Sequence, residues 1–165
     1  LNLGVARPDV TDKHWIYFPE DQFPFYRVGC SSHFSSSVAP ADHSALYVEV
    51  ARPGGARVDK ARLEAEILHG LYECGILRRT DELSARIWMP IEVGYVVYDF
   101  ARTPSVKTIF RHLAGLAVES IGRYGAWKYS FMEETLLDGK RCAERLAGAA
   151  SSPAAAEDGE LRVLR

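Results

Sequence analysis

The 165 residues (18.4 kDa) are 47% hydrophobic and 25% charged, the balance of a soluble globular protein rather than a disordered, collagenous or coiled-coil chain. Twenty basic against 22 acidic side chains leave a formal charge of -2, so no net basic field for nucleic acid is present. No uncharged apolar run approaches the ~20 residues that cross a bilayer, and three dispersed cysteines (Cys30, Cys74, Cys142) speak for a reducing, cytoplasmic setting rather than a disulfide framework.

The chain opens on Leu1 rather than Met, which suggests a piece of a longer polypeptide, with residues 1–11 an extension or cut point. His14-Trp15-Ile16-Tyr17-Phe18 is aromatic and β-prone and stops at Pro19. After a turn at Glu20-Asp21-Gln22, Phe25 to Cys30 reads as its hairpin partner, with Pro24 at the strand start. Alternation along this partner puts Arg27 on a face with Phe25 and Gly29, and Tyr26, Val28 and Cys30 on the other. Gly29 should leave the face beside the guanidinium open. Leu46-Tyr47-Val48-Glu49-Val50 alternates cleanly, with Leu46, Val48 and Val50 facing a core.

Asp59 should cap a helix that runs to about Cys74, with Gly75 at the left-handed C-terminal position and Leu63, Ile67, Leu68 and Leu71 as its buried stripe. Residues 83–98 are β-like, interrupted at Pro90 and Gly94. Thr103-Pro104 has the form of a helix start, with Val106, Ile109, Phe110, Leu113 and Ala117 on one face and Gly122 at the end. Ser130 and Glu133 form a capping box ahead of a last helix, about Phe131 to Leu146, with Met132, Leu136, Gly139, Ala143 and Leu146 on one face. Residues 148–165 are rich in Ala, Ser, Pro and Glu and should form a flexible tail. The expected fold is therefore α+β: a mostly antiparallel sheet with about three flanking helices, over residues 12–147.

Familiar catalytic motifs are missing. No two glycines are two apart, so no Gly-x-Gly-x-x-Gly exists. Gly70 and Gly75 have P-loop spacing but are followed by Ile76 and Leu77. His-Glu-x-x-His and Gly-x-Ser-x-Gly are absent, and five scattered histidines give no metal site. No catalytic side chain is singled out, and whether the chain is itself an enzyme stays open. What remains is arginine beside tyrosine, in three places: Tyr17 with Arg27, then Tyr95 and Tyr98, then the loop from Gly122 to Tyr129, with Arg123 and Tyr124 inside it. Arginine presents a planar fork to phosphate oxygens and tyrosine a neutral donor, each charge-assisted bond contributing roughly 1.5–3 kcal/mol. Two such arginines with three phenols suit a diphosphate. The bland alternative is that each is a cross-strand pair, a solvated arginine or a plain helix connection.

His14-Trp15-Ile16-Tyr17-Phe18-Pro19-Glu20, Pro24-Phe25-Tyr26-Arg27 and Gly122-Arg123-Tyr124-Gly125-Ala126-Trp127-Lys128-Tyr129 together resemble the C-terminal half of UDP-galactopyranose mutases and related amine-oxidase or protoporphyrinogen-oxidase-like flavoproteins. The resemblance implies that Tyr17, Arg27, Tyr95, Arg123 and Tyr129 hold a nucleotide-sugar diphosphate, and that Ser130, Phe131 and Met132 lie against FAD. It implies that reduced FAD attacks the anomeric carbon while UDP departs. It also implies a partner, an N-terminal FAD-binding half that carries the glycine-rich motif absent here, without which this chain would bind FAD weakly. Eukaryotic-type mutases carry extra residues between the positions matching Tyr129 and Ser130, which are adjacent here. Two further readings therefore stand beside the first: part of an amine-oxidase-type oxidoreductase, and a flavin-free binding module.

Overall fold

The computed structural model describes residues 1–151, with side chains described to residue 148; the tail expected over 148–165 falls largely outside them. The chain divides into two compact units, Leu1–Glu92 and a second from Val93 onward. The fold class is α+β, as expected. In the first unit, five antiparallel strands, β1 (Asn2–Val5), β2 (Trp15–Tyr17), β3 (Arg27–Cys30), β4 (Ser44–Glu49) and β5 (Leu83–Ile87), lie in the order β2-β3-β4-β1-β5.

The hairpin of β2 and β3 forms as the sequence predicts, and β4 pairs beside it. One face is the core. Leu3, Val5, Val28, Leu46 and Val48 are almost fully buried there, together with Leu63, Ile67 and Leu71 of helix α1 (Lys60–Glu73). Burying one such aliphatic side chain contributes about 1.5–3 kcal/mol. Helix α1 starts where predicted. Asp59 accepts a hydrogen bond from the Arg62 amide, and Gly75 takes a φ of +77° just beyond its end. Gly70 allows the helix to approach closely, because a Cβ there would stand 2.9 Å from Cε1 of the buried Phe25.

Strand β1 falls within the residues expected to be an extension or cut point. It lies between β4 and β5, near the middle of the sheet. Its signal is weak because it has four residues with a glycine inside, and glycine lowers strand propensity. The structure supplies the reason for that glycine: a Cβ on Gly4 would come within 2.8 Å of Ser84 Oγ on β5. The β-like stretch 83–98 is also shorter than expected. Only Leu83–Ile87 pairs, since Pro90 and Gly94 cannot sustain a ladder.

The second unit contains α2 (Arg102–Gly115), the single turn α3 (Gly122–Gly125) and α4 (Met132–Ser151). Helix α2 begins before Thr103. Asp99 Oδ1 accepts from the amide of Arg102 at 2.8 Å, which replaces the expected threonine cap. It ends at Gly115 rather than at Gly122, and Ala117, expected on its face, sits beyond it with a φ of +55°. Gly122, at φ +78°, instead opens α3. The Ser130–Glu133 capping box does not form. Helix α4 starts one residue later than the box requires; the Phe131 carbonyl accepts from Thr135, and the Ser130 hydroxyl stays outside the helix. The apolar face predicted for α4 is exposed at Met132, Leu136 and Leu146, while Cys142 is the buried position of its described part.

Candidate functional site: two arginine–tyrosine clusters

Strand register builds the first cluster. Tyr17 of β2 lies opposite Arg27 of β3, which lies opposite Glu49 of β4, so the three side chains form one row across the sheet. Cross-strand neighbours on one face stand about 5 Å apart, close enough to bond. Arg27 Nη1 donates to the Tyr17 hydroxyl at 3.1 Å. Its Nε and Nη2 both donate to Glu49 Oε1, at 3.0 and 2.5 Å. Tyr26 donates its hydroxyl to the other oxygen, Glu49 Oε2. The Arg27 and Glu49 side chains are 23% and 28% exposed, so the pair is only partly screened.

Two expectations about this face are corrected. Phe25 is buried in the core and Tyr26 stands with Arg27, the reverse of the expected alternation. Regular pairing begins only at Arg27, so a period of two does not extend back past it. The space beside Gly29 is also filled. The Tyr47 ring lies across the glycine, and a Cβ on Gly29 would overlap its Cζ and hydroxyl. Burial pushes the Tyr47 phenol up from its ordinary value, Arg27 opposing.

Around Arg123 a second cluster forms, in the second unit. The Tyr95 and Tyr129 rings stack at 5.9 Å between centroids, 16° from parallel. The Arg123 guanidinium lies 4.8 Å from the Tyr95 centroid and 5.1 Å from that of Tyr129, within cation–π range. Arg123 Nη1 donates to the Ser130 carbonyl at 3.3 Å. Trp127, just ahead of Tyr129, takes a φ of +45°, a strained conformation for a non-glycine residue. The strain is held by bonds from the Trp127 amide to the Tyr124 carbonyl and from the Lys128 amide to that of Arg123. Arg102 adds Nε and Nη2 bonds to the Trp127 carbonyl at 2.8 and 2.5 Å and lies 4.2 Å from the Tyr98 ring. The Tyr98 hydroxyl accepts from the Tyr129 amide at 2.8 Å.

Two buried polar atoms here have no hydrogen-bond partner: Arg123 Nε, and the hydroxyl of Ser130, a residue only 3% exposed. Such orphans are costly, at about 1–3 kcal/mol each. Phe131 and Met132, next in sequence, are exposed. An unsatisfied hydroxyl and apolar surface are the kinds of group that a flat, heteroatom-bearing ring takes. No Gly-x-Gly-x-x-Gly follows a strand to hold a dinucleotide's pyrophosphate. These residues therefore fit part of a flavin site rather than a whole one. A separate cavity of about 510 Å³ in this unit is lined by Val106, Phe110, Tyr124 and Trp127 among others; Tyr95, Arg123 and Tyr129 do not line it.

All five predicted substrate residues thus fall into two groups, Tyr17 with Arg27 and Tyr95 with Arg123 and Tyr129. Missed in the sequence are Glu49 and Tyr47, which register sets opposite Arg27 and Gly29, Tyr26, which joins Arg27 through Glu49, and Arg102, which reaches its loop only through folding. Among the described residues no cluster of His, Cys, Asp or Glu could hold a metal, and no helix is long and apolar enough to cross a membrane. No family model matches the sequence. The structure is similar to the crystal structure of reduced UDP-galactopyranose mutase, with a TM-score of 0.77 and 27% identity over 92% of this chain. The chain spans 33% of that mutase's length and has the fold of the matching part.

Proposed function

We propose that this chain is the substrate-binding and flavin-covering part of a UDP-galactopyranose mutase-like flavoenzyme. Support comes chiefly from one observation: each of the two arginines stands with the tyrosines that the resemblance assigns to the same diphosphate. Arg27 with Tyr17 in the first unit, and Arg123 with Tyr95 and Tyr129 in the second, each present guanidinium and phenol groups of the kind that hold a nucleotide-sugar diphosphate. Negative charge grows on the diphosphate as the anomeric bond breaks, and preset guanidinium and phenol donors stabilise it at that moment. FAD, when bound, supplies the electron-rich partner of the anomeric carbon. Ser130, Phe131 and Met132 would hold it, the hydroxyl by a hydrogen bond and the two apolar side chains by excluding water.

The test is binding of UDP by calorimetry in the protein as the cell makes it, with interconversion of UDP-galactopyranose and UDP-galactofuranose under reducing conditions. Arg27→Ala and Arg123→Ala should each weaken UDP by about tenfold, the loss of one charge-assisted bond. Unchanged affinity in both variants refutes the reading. An oxidoreductase reading is favoured by the adjacency of Tyr129 and Ser130. It predicts flavin reduction by an amine and no response of that reaction to UDP.

A further inference from the structure

Glu49 sits where a diphosphate site would ordinarily exclude a carboxylate. It is close to Arg27, carries the same sign as the ligand, and is only partly exposed. Its bonds explain its presence. One oxygen takes both Nε and Nη2 of Arg27, and the other takes the hydroxyl of Tyr26. The carboxylate is thus fixed by one neighbour and fixes the other. An arginine has four rotatable side-chain bonds, and ordering it costs conformational entropy that a ligand would otherwise have to offset. With Nε and Nη2 held against Glu49, the Nη1 side of the fork is turned to the Tyr17 hydroxyl. Both are donors that the proposed function assigns to phosphate.

We propose that Glu49 is a positioning residue that presets the Arg27 guanidinium for an anionic diphosphate ligand, with Tyr26 steadying the carboxylate. The inference rests on the nucleotide-sugar reading of the site. It runs against simple electrostatics: removing a negative charge from an anion site should tighten binding, whereas removing a positioning group should loosen it.

That opposition makes the test decisive. UDP is titrated calorimetrically into the protein as the cell makes it, carrying Glu49→Ala, Glu49→Gln, Arg27→Ala, or Glu49→Ala with Arg27→Ala. Glu49→Ala should weaken UDP by about tenfold. Glu49→Gln, which keeps an acceptor oxygen for Arg27 and can turn its amide N–H to the Tyr26 oxygen, should recover most of the loss. In the Arg27→Ala background Glu49→Ala should have less than a twofold effect, since a group acting through Arg27 has nothing left to act on. A merely structural role would give the same loss in both backgrounds, and that result overturns the proposal. So does tighter binding in Glu49→Ala, or no change in Glu49→Ala and Glu49→Gln while Arg27→Ala weakens UDP. Unchanged affinity in Arg27→Ala alone overturns this inference, and unchanged affinity in Arg123→Ala as well refutes the parent reading. If Glu49→Ala does not fold, Glu49→Val, which suits a strand and keeps no acceptor, carries the same comparison in both backgrounds, with a loss only where Arg27 is present as the expected result.

Discussion

Replacing Asp81 with alanine tests whether an ion pair holds the end of β1 to the turn after α1. Arg7 follows β1; its Nε and Nη2 donate to Asp81 Oδ1 and Oδ2 at 2.8 and 2.9 Å, and Nη2 also to the Ile76 carbonyl at 2.9 Å. The Arg78 amide donates to Asp81 Oδ2 at 2.8 Å. The two side chains are 17% and 5% exposed. Breaking a fully buried pair costs about 3–5 kcal/mol. Arg7 keeps the Ile76 carbonyl and some water, so the lower end, about 3 kcal/mol, is expected. For a unit of this size that lowers Tm by about 12 °C or more. The Arg7 hydrogen bonds hold the Asp81 carboxyl below the usual carboxylate range. Its contribution is therefore complete above the unfolded value, about 3.9, and is lost as pH falls through the lower folded value. Urea denaturation followed by circular dichroism should show a constant gap between wild type and Asp81→Ala from about pH 8 to 5, closing below about pH 4. A gap under about 1 kcal/mol at neutral pH, the level of a surface pair, refutes the reasoning.

Gly29→Ala should cost about 1–3 kcal/mol by overpacking, because the new Cβ displaces the Tyr47 ring. In the same variant the phenol, moved toward water, should titrate closer to an ordinary tyrosine; ultraviolet difference spectra at alkaline pH check this, and an unchanged Tyr47 titration contradicts it. Tyr98→Phe removes the acceptor of the Tyr129 amide and should weaken UDP by about fivefold through a lost bond of about 1 kcal/mol. Equal affinity in a calorimetric titration would show that Tyr129 is held without it.

The elements legible in the sequence are those whose signals are local. The aromatic hairpin, the alternation at Leu46 to Val50 and the Asp59 cap each depend on neighbours a few residues away. Strand β1 was hidden because Gly4, there to admit β5, carries no strand signal of its own. Ser130 and Glu133 have the spacing of a capping box and so point to a start of α4 one residue early, while burial takes the serine hydroxyl out of reach. The arginines and tyrosines could be named from their motifs. Their surroundings could not, because Glu49 and Tyr47 meet β3 only through register. Both lie at outward positions of a strand that was read correctly, so counting the pairing of β3 and β4 would have found them.

The central place of β1 has a consequence for how the polypeptide acquires its shape on the ribosome. Leu3 must pair with Leu46 on one side and Arg86 on the other. Of the five strands of this sheet, β1 emerges before the others and is the last to be enclosed, and it waits as an unsatisfied edge while the β2–β3 hairpin, whose partners are near in sequence, closes early. Until Ile87 has left the exit tunnel, Leu3 and Val5 have no complete core to enter.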